Sequence, residues 1–110
     1  MKEQSLASVR ETAVKALAAA LERAAAASGA HNRQECHDQL EERRLIAEQL
    51  MFAPSEAAKR VLINQVERFN HGLLNQQMAA HVLLERLTAG DGQALLQAEE
   101  MIAALNEVMS

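Results

Sequence analysis

Residues 55–88 read SEAAKRVLINQVERFNHGLLNQQMAAHVLLERLT. Within them Leu62, Val66, Phe69, Leu73, Gln76, Ala80, Leu83 and Leu87 follow one another at steps of 4, 3, 4, 3, 4, 3 and 4. A 4-3 alternation sustained over nearly four repeats is the signature of a helix that packs along one seam. Ser55 can cap its start, and Ala89-Gly90 marks its end. Stop signals interrupt the pattern at Asn70-His71-Gly72. Because the seam keeps its phase across them, the spacing predicts one continuous helix over 55–88, roughly 50 Å long. A break at Gly72 is the alternative.

Three further helices are predicted around this one. The first spans about 5–28, beginning at Ser5 or Ser8 and closing at Gly29, a residue suited to the left-handed position after a helix. Its body, Ala13 to Ala27, is almost pure helix former, and the Ala-lined stripe should let a neighbour approach closely. The second spans about 32–53. Asn32-Arg33-Gln34-Glu35 forms a capping box at its start, and Pro54 ends it. Asp91 caps the last, 91–109, whose Leu95, Ala98, Ile102, Leu105 and Met109 again step by 3 and 4.

The pattern shows no strand and no internal repeat, so residues 1–110 are expected to form one all-α domain. Short connections make sequential helices antiparallel neighbours. The expected architecture is a four-helix antiparallel bundle, or an extended helical hairpin with a long third helix that completes its core by dimerising.

Composition narrows the function. The chain has 110 residues, enough to bury a core without a metal or disulfide, and its single Cys36 cannot form an internal disulfide. It carries 11 bases and 15 acids. All of that excess lies on the last helix, which holds Asp91, Glu99, Glu100 and Glu107 and no base. An acidic balance without a basic stripe argues against duplex nucleic acid, and the lack of Tyr and Trp against stacking on single strands. Lys15, Glu22 and Arg23 interrupt the one stretch that could serve as a signal peptide. The longest charge-free window, Phe69 to Leu84, is too short and too polar to span a bilayer. No membrane association is expected, and a cytoplasmic protein with a reduced thiol is the expected setting.

Little in the chain looks catalytic. His37 and Glu41 share a helix face beside Cys36, but no His or Cys pair has metal-ligand spacing, so a surface hydrogen-bonded pair is the simpler expectation. Ala80-His81-Val82-Leu83 matches half of the motif by which helical phosphotransfer domains present their histidine. Leu84 and Glu85 stand where that motif wants a Lys and a small residue, and a Glu beside the acceptor would repel a phosphoryl group. The chain has no nucleophile elbow, phosphate loop or dinucleotide fingerprint. The expectation is a non-enzyme with no cofactor, no metal and no small-molecule substrate.

What remains is surface for a protein partner. The long helix places amides and histidines among its apolar positions, where a solvent face would carry Lys and Glu. Gln76 falls on the seam itself, where a buried amide can set register or oligomeric state. In size, acidity and build the chain resembles small helical chaperones and adaptors, including those serving bacterial secretion systems, which mask a helical partner. The expected mode is helix-in-groove recognition between the third and fourth helices, with Phe69, Leu73, Gln76, Met78, His81 and Leu84 on one wall and Leu95 and Ile102 on the other. The alternatives are a self-assembling homo-oligomer without a client and a phosphocarrier using His81.

Overall fold

A computed structural model describes residues 5–110, which are helical throughout, with no strand among the described residues. Helix α1 (Leu6–Ser28) starts where the Ser5 hydroxyl accepts the Ser8 N–H at 3.2 Å. It stops at Gly29, whose φ of 79° no L side chain adopts easily. Helix α2 (Arg33–Gln49) opens at the expected cap: Asn32 accepts the Glu35 N–H, and the Glu35 carboxylate accepts from the Asn32 side-chain amide and from the His31 N–H instead of the Asn32 backbone. A 3-10 turn, Leu50–Phe52, leads to Pro54. Then come α3 (Glu56–Glu67), α4 (His71–Thr88) and α5 (Gly92–Met109), capped by Ser55, Asn70 and Asp91.

The continuous helix expected over 55–88 is therefore two helices. The break lies at Arg68–Asn70 and not at Gly72, which sits inside α4. Asn70 causes it: its side-chain oxygen accepts the Leu73 N–H at 3.1 Å, offering the backbone a start site in place of a continued ladder. The seam keeps its phase because α4 continues in roughly the direction of α3.

The order of packing also differs from sequential antiparallel neighbours. Helices α1, α4 and α5 pack on one another, α2 packs on α4 and α3, and α3 touches α2 and the 3-10 turn. α1 and α2 do not pack together. Both run antiparallel to α4: Arg33 meets Glu85 near one end of α4, while Leu40 and Ala47 lie beside His71 and Asn75 at the other. α5 runs parallel to α1, with Leu95 near Val9 and Asn106 bonded to Arg23 at 3.1 Å. The molecule thus has three rods: α1 continued by α2, α3 continued by α4, and α5 alone. Its extents are 69 × 24 × 18 Å, and its radius of gyration is 17.8 Å. A compact domain of this length would have about 13 Å.

The core is correspondingly uneven. At the three-helix end Leu17, Leu21, Leu73, Leu83, Leu87 and Leu105 are buried around Ala20, Ala24, Ala80, Ala94 and Ala98. The alanines let the helices approach closely, as their run in the sequence implies. A small second cluster of Ala30, Cys36 and Leu74, flanked by Leu40, Phe69 and Met78, sits where α1 passes into α2. Beyond it only two rods remain.

Candidate interaction surfaces

α1 occupies the cleft between α4 and α5 that the sequence reserves for a partner, and this scatters the residues assigned to that groove. Leu73 is buried in the chain's own core, and Leu84, Leu95 and Ile102 pack half-buried against it. Phe69 and Met78 belong instead to the second cluster, under α2. Gln76 is half-buried. The seam amide that is fully buried is its neighbour Gln77, because α4 packs against α1 and α5 on one side and α2 on another, which widens its covered face. Leu95 and Ile102 come together in a groove of about 340 Å³ that they share with Val9, Ala13 and Ala16 of α1, and His81 and Leu84 share a separate recess.

His81 lies half-buried in a recess with Leu21, Ala25 and His31, and its Nε2 is buried without a partner. Burial holds its imidazole below the usual value, opposed by nearby Glu85 and reinforced by Arg33. Cys36 is buried, and burial first, then Glu35, pushes its thiol up, the reverse of an activated nucleophile. The expected pairing of His37 with Glu41 is not formed. Glu41 is held by Arg44, whose Nε donates at 3.2 Å, and His37 lies 3.7 Å from Asp38. Among the described residues, no three His, Cys, Asp or Glu side chains converge as metal ligands.

The surface that the sequence did not single out is the two-rod end, the α2–α3 arm. No residue from His37 to Gly72 is fully buried. Val61, Ile63, Leu45, Met51 and Phe52 are exposed there, the last two at 83%. Only Leu6 and Leu96 elsewhere among the described residues are large apolar side chains left as open. α3 nevertheless has an apolar stripe, Ala58, Leu62 and Val66, which turns towards α2 and stays half-covered. A two-helix hairpin gives each helix one neighbour, so the flanks of both stripes stay open; a helix of 12 residues needs tertiary burial to persist. The Nε of Arg43, on the α2 side of this seam, is buried without a hydrogen-bond partner.

Charge divides the molecule at the same place. Residues 40–68 carry five bases and five acids, and the net −4 lies on the rest, with Glu99, Glu100 and Glu107 exposed on α5. The 3-4 spacing in the sequence signals α3's stripe. It cannot signal that no third rod covers it.

No protein-family model, no curated protein and no solved structure matches the chain. No helix among the described residues is long and apolar enough to cross a membrane.

Proposed function

We propose that the chain is a helical protein–protein interaction module of the chaperone or adaptor kind, acting in the cytoplasm without catalysis. The observation that carries this is the α2–α3 arm, whose apolar residues have no core of their own. A two-rod segment beside a fully packed three-rod segment offers a vacant third position, and a helical partner laid there would complete the packing found at the other end. The groove therefore moves from the cleft between α4 and α5, filled by α1, to the arm.

The test is site-specific cross-linking in the native cell. A photoreactive side chain placed at position 61 or 65 should capture a defined protein, a second copy of the chain included, and Val61→Glu should abolish the product from position 65. No protein adduct from either position would overturn the proposal.

A further inference from the structure

Resting on that interaction role for the arm, we infer that its occupant is a second copy of the chain. Two α2–α3 arms pair about a two-fold axis to build a four-helix bundle with a three-helix body at each end.

Three observations point to self-pairing. The arm is electrically neutral, with five bases and five acids over residues 40–68, so two arms can meet without repulsion. The bodies hold the whole net charge of −4, and the two-fold arrangement sends them to opposite poles. Each body is then tens of ångströms from the other along a molecule already 69 Å long, beyond the ~10 Å over which charge acts in salt. Finally, two hairpins supply four helices, the number that closes a bundle around one core, from one self-complementary patch.

Helical geometry selects the patch. At about 100° per residue, Ile46 of α2 and Leu50 of the 3-10 turn that follows it fall on the same side of the hairpin as Ala58, Val61 and Gln65 of α3. None of these five is charged, four are half-buried, and Val61 is 56% exposed; the exposed Glu42 and Arg68 flank them on the same side. The opposite side carries Arg44, Lys59, Glu56 and Glu67 around Ile63, so the side with fewer charges and more apolar residues is the one that meets its copy. Closing it covers the half-buried stripe that α2 alone cannot cover. Gln65 sits at the centre of the pair as an amide that fixes register.

The test is the solution mass of the full chain, measured together with amide exchange in α3. The expected result is twice the 12.0 kDa of one chain. Val61→Glu and Val61→Arg should each give a single chain with helix content kept in the body, while Leu96→Glu, on the exposed face of α5, should stay dimeric. A wild-type single chain would overturn the inference, as would a dimer that survives both Val61 changes. If that single chain also protects α3 amides as well as α4 amides, the interaction role of the arm fails too. If it leaves them unprotected, the arm still needs an occupant, and only the second copy is excluded.

Discussion

The side-chain amide of Gln77 donates its Nε2 hydrogen to the carbonyl of Ala30 at 2.9 Å, and both residues are fully buried. They are 47 positions apart in the chain. The bond fixes the connection between α1 and α2 to the middle of α4, where the packed body gives way to the arm. The Gln77 Oε1 has no partner, so the arrangement spends one buried acceptor to hold the other.

Gln77→Ala is expected to lower the unfolding free energy by about 2–4 kcal/mol, because it leaves both a cavity and an unpaired buried carbonyl. Gln77→Leu fills the space but still strands the Ala30 carbonyl, so about 1–3 kcal/mol should be lost. Urea unfolding followed by circular dichroism measures both. Equal and negligible effects would show that the junction is held by something else.

The alanines of α1 set how closely α4 and α5 approach. Ala20 and Ala24 are wholly buried, whereas Ala19 points outward. Ala20→Leu should destabilise by about 1–3 kcal/mol through overpacking, and Ala19→Leu should stay within about 0.5 kcal/mol of wild type. Thermal unfolding of the pair distinguishes them.

The break between α3 and α4 gives a paired expectation. Asn70→Ala removes the acceptor for the Leu73 N–H and should cost about 0.5–2 kcal/mol. Gly72→Ala should be harmless or stabilise by up to about 1 kcal/mol, since an added methyl there meets only the Asn70 side-chain oxygen at 3.8 Å. A large loss at Gly72 would mean that the glycine, and not Asn70, shapes the break.

His81 makes stability depend on pH. Its burial favours the neutral ring, against Glu85 and with Arg33, while Glu22 of α1 and His31 of the α1–α2 link line the same recess. The unfolded chain binds the proton more readily than the folded one, so stability falls as pH drops below about 6.5 and levels off below the folded value. His81→Gln should flatten that part of the profile between pH 7 and 5. An unchanged profile would assign the dependence to another group.

Local chemistry made much of the fold legible. Ser5, Asn32 with Glu35, Ser55 and Asp91 cap helices where the sequence puts them, and Gly29 ends α1, because a cap needs only the residues beside it. The stop signal at Asn70-His71-Gly72 is outweighed in the sequence for a physical reason: a break between two helices that run on in one direction leaves the 4-3 spacing in phase. The course of the rods was illegible because contacts such as Gln77 with Ala30 decide it, and no local pattern reports them. Leu73 was assigned to a partner for a related reason. An apolar stripe looks the same in sequence whether a foreign helix or the chain's own α1 covers it. The open arm was hidden by the converse, since Leu62 and Val66 have the spacing of a covered seam and only one neighbouring helix.

We propose that the α2–α3 arm depends on an interaction for its stability. The most direct test is hydrogen exchange of α3 amides across a hundredfold range of protein concentration. Their protection should rise with concentration while that of α4 and α1 stays constant, because a second copy would cover the arm and the body needs none. Protection in α3 that equals that of α4 at the lowest concentration, and does not change with dilution, would contradict it.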